Sequence, residues 1–238
     1  MEQIKFNGIV LKAVDYKDKD KLLTIFTLEL GILTATLKGV NQDKAKLKFA
    51  AMPFCFAEFV ATSKNGFYTI TECMQIESFY NIISNYNKSI AGFLGLEISS
   101  IIIQNVPDEL WFITLINYLK TLEFSNCNDY VAMIKFILTA LNKIGYGLSF
   151  DCCSECGLKF VGDVYINMEM GELECATCKS ANSTKLTRQQ FAVLNIINNT
   201  DFASLSSIKQ KDEVYISILT VLKHNLQLRL GTTLKSLK

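Results

Sequence analysis

Over the first eighty residues, apolar and β-branched positions gather in short runs at 6–13, 22–28, 32–38, 54–62 and 67–76, with turn residues between them. Runs of this length, rich in Val, Ile, Thr and aromatic residues, are strands. The turns agree: Glu29-Leu30-Gly31 joins the second run to the third, and the hairpin dipeptide Asn65-Gly66 joins the fourth to the fifth. So few strands leave no second sheet, and the pattern predicts a five-stranded OB-type β-barrel over residues 1–80. From Asn87 the period changes. Ile90, Phe93, Leu94, Glu97, Ile98 and Ile101 mark one helical face that ends before Pro107. Asp108 is placed to cap a second helix carrying Leu110, Trp111, Leu115, Tyr118, Leu119 and Leu122. Asn128 or Asp129 caps a third that runs to Ile144, with Gly145 just past its end. Thr187-Arg188-Gln189-Gln190 has the form of a capping box, and a last long helix is expected from a cap near Asp212 to Gly231. The fold class is therefore α+β: a barrel over 1–80, then an α-helical domain over 81–238.

Within the helical part stand Cys153-Ser154-Glu155-Cys156-Gly157 and Cys175-Ala176-Thr177-Cys178, with eighteen residues between Cys156 and Cys175. Two CxxC pairs place four soft thiolates on two tight knuckles, the donor set of a tetrahedral Zn²⁺ site. Cys153, Cys156, Cys175 and Cys178 are the expected ligands. Cys152 is a competitor, but only Cys153 keeps both pairs at CxxC spacing. The site would form an insertion over 150–182, with apolar Phe160, Val164, Tyr165 and Ile166 and a turn near Met170-Gly171 reading as a hairpin. Four cysteines also suit two disulfides, but no secretory pattern opens the chain, and a reducing cytoplasm disfavours them. A closed four-thiolate site leaves no place for water or substrate, so one structural zinc per chain is expected. Cys55, Cys73 and Cys127 sit among apolar neighbours and read as small hydrophobes.

Composition narrows the functional classes. The chain has 238 residues, 50% of them hydrophobic, and a formal charge of +1, so any basic surface must be local. The longest apolar stretch, 90–106, is interrupted by Glu97 and Gln104, and no membrane span is expected. One histidine, His224, and scattered acids offer no catalytic constellation, and no P-loop string occurs. The strongest local charge is 38–48, where Lys38, Lys44, Lys46 and Lys48 stand against Asp43 alone. That loop is a candidate phosphate contact, or else a solvated lysine-rich loop. Lys12 and Lys64 extend the patch if their strands lie beside it. Lys17, Lys19 and Lys21 alternate with Asp15, Asp18 and Asp20 and look self-cancelling.

The whole pattern resembles the bacterial recombination mediator family RecO. The strings that carry the resemblance are Gly8-Ile9-Val10-Leu11-Lys12, Asp15-Tyr16, Asp20-Lys21-Leu22-Leu23-Thr24, Glu29-Leu30-Gly31 and Lys38-Gly39, then Ile144-Gly145-Tyr146-Gly147 leading to the first CxxC, and Gly231-Thr232-Thr233-Leu234-Lys235-Ser236. The resemblance implies a non-enzymatic protein of the bacterial cytoplasm and nucleoid. Such a protein binds single- and double-stranded DNA, anneals complementary strands and acts with RecR to place RecA on strands coated by single-strand-binding protein (SSB). It also implies a contact with the acidic SSB tail, for which Lys120, Lys135 and Lys143 are candidate rim cations over an apolar pocket. Asn41, Gln42 and Asp43 stand where the family is commonly richer in arginine. The alternative from another class is a zinc-ribbon and OB-fold adaptor for transcription or RNA processing.

Overall fold

The computed structural model describes residues 2–103 and 105–237; Gln104, one of the two breaks in the long apolar stretch, lies outside them. The chain forms two compact units, 1–119 and 120–238.

In the first unit, β1 (Glu2–Tyr16), β2 (Asp20–Thr27), β3 (Gly31–Leu37), β4 (Phe56–Lys64) and β5 (Phe67–Glu77) close into a barrel of order β1-β2-β3-β5-β4. Neighbours run antiparallel except β3 and β5, whose parallel pairing from Ala35↔Tyr68 to Leu37↔Ile70 closes the cylinder. Long β1 serves both halves: residues 2–9 pair with β4 and residues 8–16 with β2, the β2 ladder being interrupted by an irregularity between Val10 and Lys12. Such bulges let a strand bend around a barrel corner. Alternate residues fill the interior, including Phe6, Val10, Leu23, Ile25, Leu33, Ala35, Leu37, Phe59 and Ile70, all buried. Cys55 is buried there too, and half-buried Cys73 packs against the same core. The fourth strand begins two residues later than its apolar run, because Phe54 takes φ +65° and breaks the extended backbone.

Helices α1 (Tyr80–Ser84), α2 (Tyr86–Ile102) and α3 (Glu109–Phe124) follow, and the division between the two units falls within α3. Short α1 has no helical period of its own in the sequence. Asp108 accepts the Trp111 N–H at 3.0 Å and caps α3 as expected. Trp111 is buried and donates its ring N–H to Ser99 at 3.0 Å. Gly95 lets α2 approach closely, since a Cβ there would stand 2.6 Å from the Tyr118 ring. Phe112 packs edge-on against Phe26 and Phe56 of the barrel.

In the second unit, α4 (Asp129–Lys143) is capped by Asn128, which accepts the Tyr130 N–H at 2.9 Å. A small sheet of order β7-β6-β8 comprises β6 (Val164–Asn167), β7 (Leu173–Cys175) and β8 (Ser183–Leu186). The capping box of α5 (Arg188–Asn198) forms with Thr187 and Gln190. Helix α6 (Asp212–Leu230) ends on Gly231 at φ +63°, the left-handed cap its sequence predicts. It starts where expected, with Lys211 in the N-cap position and no side-chain cap. Asp212 lies inside the first turn, where its charge suits the helix dipole, and its carboxylate accepts Asn128 Nδ2 at 2.8 Å instead of capping.

Candidate metal centre and nucleic-acid interface

The β6–β7 hairpin pairs Val164↔Cys175 and Ile166↔Leu173 around the Met170-Gly171 turn. This delivers Cys175 to the first knuckle, where Cys153 N–H bonds Leu158 O at 2.9 Å and Gly157 N–H bonds Cys153 O at 2.9 Å. Gly157 holds φ +69°, a conformation that favours glycine. The second knuckle closes by Cys178 N–H to Cys175 O at 3.2 Å. The ligand atoms of Cys153, Cys156, Cys175 and Cys178 all lie within 4.8 Å of one another, and the Cys156 and Cys175 sulfurs are 4.0 Å apart. Sulfurs bound to a tetrahedral zinc at ~2.3 Å stand about 3.8 Å apart, so the spacing fits. Cys152 does not join the group; it forms an isolated bridge with Lys159.

The electrostatics of the cluster also ask for a cation. Burial pushes the Cys153 thiol up, but backbone N–H groups of Cys156, Cys175 and Glu155 aim at its sulfur and hold it at about 6. The N–H groups of Cys178 and Thr177 lower Cys175 in the same way. Cys178 goes the other way, pushed up to about 12 by its contacts with the Cys175 and Cys156 sulfurs. Crowded sulfurs resist carrying four charges, and a divalent ion at their centre removes that resistance. These four cysteines can hold a metal ion.

The barrel carries the second candidate surface. Asn41 N–H bonds Lys19 O at 3.1 Å, Asn41 Nδ2 bonds Asp15 at 2.9 Å and Gly39 N–H bonds Asp20 at 2.8 Å. These bonds seat the lysine-rich loop against the β1–β2 turn. Two of the acids that seemed to cancel Lys17, Lys19 and Lys21 are thus spent as anchors; Asp15 also pairs with Lys21 at 3.0 Å. Lys17, Lys19, Lys38, Lys44, Lys46 and Lys48 are all exposed on this pair of loops. Lys48 starts a short 3₁₀ turn (Lys48–Ala51) and donates to Asp43 O at 3.1 Å.

Lys12 and Lys64 occupy a different place from the one the loop suggests. Lys12 lies opposite Thr24, Thr24 opposite Thr34, and Lys64 opposite Phe67. The β3–β5 ladder opens at Ala35↔Tyr68, and carrying its parallel register back one residue sets Phe67 beside Thr34, so that Lys12, Thr24, Thr34, Phe67 and Lys64 follow one another across the barrel wall. Phe67 is 79% exposed in this row, and Tyr16, at the end of β1, is 42% exposed with Lys17 Nζ 5.1 Å from its ring centre. Neither ring stands out in the sequence among twenty-five Phe and Tyr residues; only their exposure on an outward strand face separates them. A basic rim with solvent-facing rings is the arrangement that stacks and neutralises a single nucleic-acid strand.

Of the three helix lysines, Lys120 on α3 and Lys143 on α4 are exposed. Lys135 is committed within the fold. Half-buried, with its pKa lowered by that burial, it donates to Asn198 O at the end of α5 at 2.8 Å, which leaves it a poor rim cation. Among the described residues, no helix is long and apolar enough to cross a membrane.

Fold and site together define a class: an OB-type barrel with a basic, ring-bearing wall, followed by a helical domain with a four-thiolate metal knuckle. Residues 1–79 match the family model described as Recombination protein O N terminal, and residues 84–238 match that described as Recombination protein O C terminal. The chain belongs to the recombination protein O (RecO) family of DNA repair proteins. It is 28% identical over 226 residues to the DNA repair protein RecO of Clostridium perfringens, covering 93% of this chain and 90% of that protein. To RecO of Caldicellulosiruptor saccharolyticus it is 30% identical over 210 residues, covering 88% and 86%. To that of Clostridium novyi it is 26% identical over 219 residues, covering 92% and 86%.

Proposed function

We propose that this chain is a non-enzymatic recombination mediator that binds single- and double-stranded DNA, anneals complementary strands and, with RecR, helps load RecA onto SSB-coated DNA. The observation that carries this reading is the docking of the lysine loop beside the outward barrel wall. Lys38, Lys44, Lys46 and Lys48 meet phosphates at one end, Lys12 and Lys64 meet them along the row, and Tyr16 and Phe67 stack bases. Residues 1–80 are then the DNA-binding part. Residues 81–238 form a helical platform for protein partners, with exposed Lys120 and Lys143 as the remaining candidates for the acidic SSB tail.

The metal is zinc, one per chain, held by Cys153, Cys156, Cys175 and Cys178. Four thiolates would complete a tetrahedral shell, so the ion would fasten the 150–182 insertion and take no part in chemistry. The working place is the bacterial cytoplasm, at the nucleoid.

The test is annealing of complementary oligonucleotides coated with SSB, against SSB lacking its acidic tail, with no nucleotide present. Tail-dependent acceleration is expected. A zinc-loaded protein that neither binds DNA nor accelerates pairing overturns the reading.

A further inference from the structure

The chain contains two Asn-Gly dipeptides, Asn7-Gly8 and Asn65-Gly66. This dipeptide has a chemistry of its own: the glycine nitrogen, with no side chain beside it to obstruct the approach, can attack the asparagine side-chain carbonyl. The fold treats the two copies in opposite ways. Asn7-Gly8 lies inside β1, where Asn7 pairs with Glu58 and Gly8 is paired on both sides, with Ala57 and with Thr27. The Asn7 side-chain amide donates to Glu29 at 3.3 Å, its backbone N–H donates to the same carboxylate at 3.0 Å, and Gly8 is buried. The ladder holds nitrogen and carbonyl apart and keeps hydroxide from the Gly8 N–H.

Asn65-Gly66 is the tip of the β4–β5 hairpin. Lys64 and Phe67 form the last pair of the ladder, and the two tip residues hold φ +52° and +79°, the signs of a two-residue type I′ turn. Both are exposed, and a Cβ on Gly66 would meet nothing within 4 Å. Among the described residues, neither the Asn65 side chain nor the Gly66 N–H has a hydrogen-bond partner. Only the end of the ladder has to open for the nitrogen to reach the carbonyl, and opening at a loop tip costs little.

We propose that Asn65 is a modification site, converting spontaneously to aspartate and isoaspartate. Gly66 N gives its proton to hydroxide and bonds to Asn65 Cγ, ammonia leaves, and a five-membered succinimide remains. One water then opens the ring at either carbonyl, so the reaction needs no oxidant and no cofactor. Each product sets a new carboxylate between Lys64 and Phe67, where it repels phosphate. Isoaspartate also routes the backbone through the side-chain carbon, which lengthens a turn whose two residues fix the Lys64↔Phe67 register. The consequence for DNA rests on the mediator reading above; the chemistry at Asn65 does not.

Incubation of the folded, zinc-loaded chain in mildly alkaline buffer, followed by peptide mass mapping, tests the site. The mass increment of amide-to-acid conversion is expected at Asn65, faster as pH rises, while Asn7 stays an amide; in denaturant both should convert. A folded chain in which Asn65 stays an amide while the denatured chain converts overturns the proposal. So does conversion of Asn7 as fast as Asn65 in the folded chain. Asn65→Asp supplies one product directly in a dipeptide that still suits the turn. It should bind single strands about fivefold more weakly at low salt, with a salt slope shallower by roughly 0.7. Conversion at Asn65 with single-strand affinity unchanged leaves the modification site standing and counts against this end of the barrel wall as a DNA contact.

Discussion

Asn41 donates its side-chain N–H to Asp15 at 2.9 Å, across twenty-six residues of sequence, and so locks the lysine-bearing loop to the turn between the first two strands. The bond explains how an almost neutral barrel presents a basic end. Asp15 and Asp20 face the loop backbone and the Asn41 amide, while Lys17, Lys19, Lys44 and Lys46 face solvent. Asn41→Ala removes the lock without changing charge. A solvent-exposed hydrogen bond contributes about 0.5–1 kcal/mol, so single-strand affinity should fall about two- to fivefold with an unchanged salt slope. Lys44, Lys46 and Lys48 changed together to Glu should flatten the slope as well, since each phosphate neutralised adds roughly −0.7 for single strands. Binding titrations at several salt concentrations separate the two effects.

The same anchor has a predictable acid limit. The hydrogen bond from Asn41, and then Lys21 beside it, hold the Asp15 carboxyl below its ordinary range. A depressed folded-state pKa means that the anchoring is fully present above the unfolded value of about 3.9 and is lost as pH falls through the folded value. The Asn41 side-chain amide resonance should therefore stay constant from pH 8 to about 5 and move only below about 4. A midpoint near neutrality would assign the loop's order to some other group.

What the sequence made legible was local. Strand runs, the Asn65-Gly66 turn, the Thr187–Gln190 box, the Gly231 cap and the four-cysteine set depend on residues a few positions apart, where spacing maps directly onto geometry. What stayed hidden depends on closure. The row from Lys12 to Lys64 exists only because β3 and β5 pair in parallel, and no local pattern encodes that pairing. Asp15 reads as a cancelling charge until the loop folds onto it. Lys135 reads as solvated until the end of α5 reaches it. Strand β8, Ser183-Thr184-Lys185-Leu186, is polar and becomes a strand because β6 offers it an edge.

The adjacent cysteines give a sharp test of the metal centre. Cys153 belongs to the sulfur cluster, whereas Cys152 pairs its backbone with Lys159. Cys153→Ser should lower bound zinc well below one per chain and expose the 150–182 insertion to protease; Cys152→Ser should change neither. Elemental analysis of the two purified variants decides it. Equal metal content in both would mean that the ligand set is wrong.

Arg229 of α6 holds the hairpin from the other side. Its guanidinium donates to Met168 O at 2.6 Å and lies 4.9 Å from the Tyr146 ring centre. Gly171, at φ +78°, passes so close that a Cβ would sit 3.1 Å from Arg229 Nε. Arg229→Ala should cost about 1.5–3 kcal/mol of stability, the range for a hydrogen bond to a charged group. Gly171→Ala should cost about 1 kcal/mol or more through its left-handed backbone. Both should loosen the hairpin, seen as faster zinc loss to a chelator, while the barrel's DNA affinity is unchanged.

Phe67 separates stacking from charge on the barrel wall. It stands between Lys64, its cross-strand partner, and Thr34, with most of its ring in solvent, so its removal costs the folded barrel little. A stacked base is worth about 1–3 kcal/mol, so Phe67→Ala should weaken single-strand binding roughly five- to 150-fold. Duplex binding should change little, because paired bases cannot reach the ring. The salt slope should stay that of the wild type, since no phosphate contact is lost. Lys64→Gln, one position across the ladder, should do the opposite and reduce the slope for both DNA forms with a smaller loss at low salt. If Phe67→Ala instead lowers single-strand and duplex affinity equally, the ring supports the wall without touching bases, and the strand runs along the lysine loop alone.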